Sequence, residues 1–183
     1  QNDSFKSVSK YFDRITRPEQ ILTSLPQAIN VMLDPADCGP AVISMSQDVQ
    51  GEAFDYPEIF FEEKIHQIRR IHPDPNQIQK AADKLKKSKQ PIIISGGGVL
   101  YSEAEEEISA FAKKHNIPVT ATVMGIGCMN KDDPYYISAI GCLGEGSSNN
   151  LATDTDLALA VGTKLGDFTT GSRTNFENEN FQL

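Results

Sequence analysis

The 183-residue chain carries 17 Lys and Arg against 25 Asp and Glu, for a formal charge of −8 and a pI near 4.9. That excess of carboxylates repels phosphate backbones and anionic lipid, and no basic block interrupts it, so nucleic-acid and membrane-surface binding are excluded as the main role. Apolar residues make up 39%, enough for a core in a chain of this size, which buries roughly 70% of its unfolded surface.

The longest apolar runs, Pro91-Ile92-Ile93-Ile94 and Leu157-Ala158-Leu159-Ala160-Val161, fall far short of the ~20 residues of a membrane helix. No signal-peptide pattern opens the chain. Cys38, Cys128 and Cys142 form no C-x-x-C pair, and His66, His72 and His115 share no i, i+4 spacing, so neither a disulfide framework nor a zinc site is indicated. A reducing, cytoplasmic setting is expected. The cysteines are expected to be small buried hydrophobes and the histidines solvated.

In chain order, residues 16–34 predict a helix, with Thr16 and Glu19 in capping-box spacing, an apolar face from Ile21 to Met32, and Pro26 as an interruption or kink. Residues 41–45 predict a short buried strand after the turn signals Asp34-Pro35 and Gly39-Pro40. Periodicity then vanishes from Gln47 to Pro75, the mark of a linker. The expected organisation is a partial domain over 1–50, a linker over 51–72 and a further domain over 73–183.

That domain begins regularly. Asp74-Pro75-Asn76-Gln77 reads as an N-cap followed by Pro at N1, with Ile78, Ala81, Ala82 and Leu85 on one helical face and Lys84, Lys86, Lys87 and Lys89 toward its end. A strand over 91–95, the turn Gly96-Gly97-Gly98, a helix opened by Ser102 and Glu105, a strand over 117–122, a short helix near 147–154 and a strand over 156–161 follow. Strands alternating with helices predict an α/β fold: a doubly wound, mostly parallel sheet of about five or six strands from residue 91 onward, with helices on both faces.

The turn Gly96-Gly97-Gly98 lies where such sheets bind ligands, beyond a strand's carboxyl end. It is not a G-x-G-x-x-G fingerprint, and Glu103, Glu105, Glu106 and Glu107 follow it, charges that would repel phosphate. It is either a structural turn or a nucleotide-facing loop. Met124-Gly125-Ile126-Gly127 and Gly162-Thr163-Lys164 sit at two further strand ends, so Gly96, Gly97, Gly98, Gly162, Thr163 and Lys164 form the candidate nucleotide cleft. Lys164 and Arg173 are either anion contacts or solvated cations. Gly166-Asp167-Phe168 lacks the second glycine of a Gly-Asp-Gly metal-diphosphate motif and is discounted. No nucleophile, base and orienter can be nominated together, and no metal ligands are assigned.

Three stretches, Gly39-Pro40-Ala41-Val42-Ile43-Ser44-Met45-Ser46-Gln47-Asp48-Val49-Gln50, Pro91-Ile92-Ile93-Ile94-Ser95-Gly96-Gly97-Gly98-Val99 and Gly162-Thr163-Lys164-Leu165-Gly166-Asp167-Phe168-Thr169-Thr170-Gly171, are similar to thiamine-diphosphate (ThDP) enzymes of the acetolactate synthase type. Within that family, residues 8–20, 47–57 and 167–172, including Tyr11-Phe12-Asp13-Arg14, Asp55-Tyr56-Pro57 and Asp167-Phe168-Thr169-Thr170, resemble the trihydroxycyclohexanedione hydrolases of inositol breakdown. The resemblance implies the end of a pyrimidine-binding domain followed by a Rossmann-like central domain, within a cytoplasmic, homo-oligomeric enzyme that uses ThDP and Mg2+ to open a cyclic diketone by C–C cleavage.

It further implies that the activating glutamate and the metal-diphosphate motif lie outside residues 1–183, so that the piece is inactive alone and depends on the other domains of its polypeptide. Gln1 in place of Met and the uncapped ending Phe181-Gln182-Leu183 agree with a piece of a longer protein. Some relatives hold FAD or ADP in the central domain. Here Leu100 and Ile126 stand where the hydrolases tend to carry a basic residue, which weakens that reading. The alternatives are the central domain of a FAD- or ADP-holding carboligase or decarboxylase, and a stand-alone nucleotide-binding module.

Overall fold

A computed structural model describes residues 2–183. The chain forms two compact units, one ending at Pro73 and one spanning Asp74–Leu183.

In the first unit, strand β1 (Tyr11–Ile15) pairs in parallel with β2 (Ala41–Met45), Tyr11 opposite Ala41 and Ile15 opposite Met45. Helix α1 (Ile21–Met32) makes the crossover that a parallel pair requires. The expected helix is therefore present, but its entry differs. Pro18 opens a 3-10 turn (Pro18–Gln20), and the Gln20 side-chain carbonyl, not Glu19, accepts the Thr16 and Arg17 amides at 2.7 and 2.9 Å. Helix α1 runs through Pro26 without a break. One missing amide removes one intrahelical bond, and the buried Ser24 and Ala28 on either side hold the helix to the strands. The Ser24 hydroxyl donates to the Asp13 carboxylate, the main reason that acid is held below its ordinary range.

A single turn, α2 (Gln47–Gln50), anchored by buried Val49, leads out of β2. Residues 51–73 hold one further turn, Glu58–Phe60. Rings tie down its first part: Tyr56 lies edge-on to Phe54 at 4.9 Å and stacks on Phe60 at 6.0 Å, and its hydroxyl donates to the Pro18 carbonyl.

In the second unit, helix α3 (Pro75–Lys87) starts where its cap places it, with the Asp74 carboxylate accepting the Asn76 and Gln77 amides. Then come β3 (Pro91–Ser95), α4 (Gly97–Tyr101), α5 (Glu105–His115), β4 (Val119–Ala121), β5 (Tyr136–Ala139), α6 (Gly146–Asp154) and β6 (Leu157–Val161). The sheet is parallel, in the order β5-β4-β3-β6.

Its strand alternation divides the core. Ile93, Val119 and Ala121 pack with Ile108 and Ala112 of α5, while Ile92, Ile94 and Ala158 pack with Ala152 of α6. Both faces are thus covered, as parallel strands demand. The described residues from 91 onward form four strands where five or six were expected, with one more isolated parallel bridge, Leu157 to Gln182.

Three local expectations are corrected. The glycine turn leads into the short α4, and Glu103, at φ 52°, breaks the chain before α5, so Ser102 ends α4 and does not open α5. Strand β5 arises from a segment that gave no strand signal. Cys38 and Cys142 are exposed because they lie in loops, and only Cys128 is buried; burial pushes its thiol up. Among the described residues, no helix is long and apolar enough to cross a membrane.

Candidate functional site

The chain passes outward from β3 through β4 to β5 and returns on the other side of β3 as β6. The winding therefore reverses between β3 and β6, the switch point at whose carboxyl edge open α/β sheets bind ligands. The loops after β3, β4 and β6 meet there around a cleft of about 370 Å3. Of the six candidate residues, Gly97, Gly98, Gly162, Thr163 and Lys164 line it, joined by Tyr101, Met124 and Phe168; Gly96 does not, and neither does Arg173.

The glycines do not leave this edge open. Gly96 donates to the Val161 carbonyl at 2.9 Å and Gly98 to the Gly162 carbonyl at 2.8 Å, so two amides that would cradle a phosphate are already committed. A Cβ at Gly98 would stand 2.6 Å from the Gly162 Cα, and one at Gly96 would stand 2.4 Å from the Gly162 carbonyl oxygen. Gly162 itself has φ +57°, a conformation only glycine adopts at low cost. Gly125 is equally tight: a Cβ there would stand 2.2 Å from the Ser95 carbonyl oxygen. Backbone packed on backbone accounts for the residue type at all four positions.

The glutamates expected beside this turn are displaced by α4. Glu105 and Glu106 instead line a separate open cleft of about 760 Å3 with Lys113, Asp132 and Asp133. There Lys113 pairs with Asp133 at 3.0 Å, and the Tyr135 amide is the main cause holding Asp133 below its ordinary range.

A residue that sequence reasoning missed ties two loops of this unit together. Asn149 of α6 accepts the Gly141 amide at 2.9 Å, donates to the Gly141 carbonyl at 3.0 Å and accepts from the buried Asn175 at 3.0 Å. It thereby ties the loop after β5 to the segment after β6. Its partners are 8 and 26 residues away, so no local pattern announces it.

A magnesium diphosphate group needs carboxylate or other oxygen ligands beside its phosphates. The cleft lining holds Lys164 as its charged side chain and no carboxylate. Among the described residues, no group of three or more His, Cys, Asp or Glu could hold a metal ion. These residues do not fit ThDP with Mg2+.

Residues 78–183 match the family described as thiamine pyrophosphate enzyme, central domain. The chain belongs to that family. Relatives similar over 182 residues, the whole of this chain, include proteins named 3D-(3,5/4)-trihydroxycyclohexane-1,2-dione hydrolase from Bacillus thuringiensis (42% identical) and Clostridium tetani (43% identical). The chain spans 28% of the length of each. The central-domain match agrees with the parallel, doubly wound second unit, whose helix α3 opens just before it.

Proposed function

We propose that this chain is the frame-forming central part of a ThDP-dependent hydrolase that opens a cyclic 1,2-diketone by C–C cleavage in inositol breakdown. The observation that carries this reading is 42–43% identity, sustained over the whole chain, to proteins named for that substrate. The chemistry of the bound cofactor is assigned in this reading to other domains of the same polypeptide, which is supported by a switch-point cleft lined by Lys164 and no carboxylate. The parent works in the cytoplasm as a homo-oligomer with ThDP and Mg2+. The role of the second unit is to hold its loops rigidly at the sheet edge: the Gly96 and Gly98 amides do so by donating to the Val161 and Gly162 carbonyls, and the Asn149 side chain by bonding both backbone groups of Gly141.

A FAD- or ADP-holding central domain is the second reading, favoured by one observation, the position of Lys164 and Thr163 in the cleft at the switch point. The committed Gly96 and Gly98 amides count against it. The test is consumption of 3D-(3,5/4)-trihydroxycyclohexane-1,2-dione by the parent polypeptide with ThDP and Mg2+, beside residues 1–183 alone. Ring opening by the parent and none by the chain is expected; turnover of a 2-oxo acid in place of the diketone would refute the reading.

A further inference from the structure

Helix α3 presents Ile78, Ala81, Ala82 and Leu85 at i, i+3, i+4 and i+7, the stripe of a helix that packs against something. Leu85 packs partly against the core beneath, yet none of the helix's residues, all of them described, is fully buried, and Ile78 is 52% exposed. Between this stripe and α5 lies an apolar groove of about 620 Å3, lined also by Phe111, Leu159, Lys86, Lys89 and His115. In a chain of charge −8, the groove lining holds Lys86 and Lys89 and no carboxylate, while Lys84 and Lys87 of the same helix line a separate cleft beside Asp156.

We propose that the α3–α5 groove is the docking surface for an acidic amphipathic helix supplied by the parent polypeptide outside residues 1–183. The proposal rests on the reading of this chain as part of a longer protein, and the 28% span of the relatives provides the polypeptide to fill it. Charge selects the occupant: two copies of α3 face to face would bring their lysines together, whereas an acidic helix neutralises them. Shape selects a helix: the stripe from Ile78 to Leu85 extends roughly 10 Å along the groove, about two helical turns, a length of apolar surface into which an amphipathic helix can lay its apolar face. An enclosed small-ligand site would instead surround its occupant.

The test compares residues 1–183 with the parent polypeptide by hydrogen exchange and thermal unfolding, carrying Ile78→Asp in one pair and Lys86→Glu with Lys89→Glu in another. Exchange across α3 should be at least about tenfold slower in the parent. Ile78→Asp should lower the parent's Tm by about 5 °C or more and leave that of the chain within about 1 °C. The double lysine reversal should also lower the parent's Tm, by an amount that shrinks in roughly 0.5 M salt. Equal α3 exchange in the two proteins, or an equal response to Ile78→Asp, overturns the proposal. So does a neutral lysine reversal, or a dimer of the chain that Ile78→Asp dissolves. Failure of the hydrolase reading would appear as absent diketone turnover, which leaves these readouts intact.

Discussion

Replacing Gly98 by Ala tests whether the glycines at the sheet edge exist for close backbone packing. The added Cβ would meet the Gly162 Cα at 2.6 Å, its carbonyl oxygen at 2.8 Å and its carbonyl carbon at 3.0 Å. All three are backbone atoms, and Gly162 is already fixed at φ +57°, so no flexible side chain can yield. Overpacking of this kind costs about 1–3 kcal/mol. Separating the loops also weakens the 2.8 Å bond from Gly98 to Gly162, worth about 1 kcal/mol.

A loss of roughly 2–4 kcal/mol is a large share of an ordinary folding free energy of about 5–15 kcal/mol. The assay is urea unfolding of the chain followed by far-ultraviolet circular dichroism, with Gly146→Ala as its control. Gly146 stands in the first turn of α6 with nothing within 4 Å of an added Cβ, so its replacement should change stability by less than about 0.5 kcal/mol. Gly98→Ala as silent as Gly146→Ala would refute the packing account and return the turn to a ligand-facing role.

Asp156 accepts from the Ser88 hydroxyl and from the Lys89 and Gln90 amides, the latter two at 2.8 and 3.1 Å, and the Ser88 bond is the main cause holding its carboxyl low. Asp156→Ala should cost about 1–2 kcal/mol at neutral pH. Because the folded state lowers this pKa, the stability it gives is present above the unfolded value near 3.9 and is lost as pH falls through the folded one; urea midpoints of the unmodified chain and the variant should converge as the pH drops below that lowered value. Asn149→Leu leaves both Gly141 groups and Asn175 without their partner and should cost about 2–4 kcal/mol in the same assay. Thiol titration of the native chain should modify Cys38 and Cys142, with Cys128 reacting only on unfolding, because accessibility and thiolate formation govern the rate.

The second unit was readable where local chemistry and tertiary structure agree. Asp74-Pro75 states a helix start, and Pro91-Ile92-Ile93-Ile94 is apolar on both faces because both faces of β3 are covered. Tyr136–Ala139 escaped notice because the strand is four residues long and pairs with β4 across an irregularity between Val119 and Thr120. In β1, Asp13 and Arg14 mask the strand pattern; the Asp13 carboxylate is satisfied by Ser24 eleven residues away, a bond invisible to periodicity. The break at Glu103 was hidden for a related reason, since nothing in a run of glutamates signals a left-handed residue. At the candidate site the sequence grouped five residues that the fold brings to one cleft at the sheet edge, but not that the Gly96 and Gly98 amides are spent on neighbouring backbone.

The central claim is that residues 1–183 frame a ThDP enzyme without holding its cofactor. Thermal unfolding of the chain with ThDP and Mg2+, and in parallel with FAD, ADP and NAD, tests it most directly, since a ligand at a hundred times its Kd adds about 2.7 kcal/mol to stability. No shift with any of the four is predicted. A saturable shift with ThDP and Mg2+ would contradict the account, and one with FAD or ADP alone would establish a nucleotide site at the β3–β6 switch point.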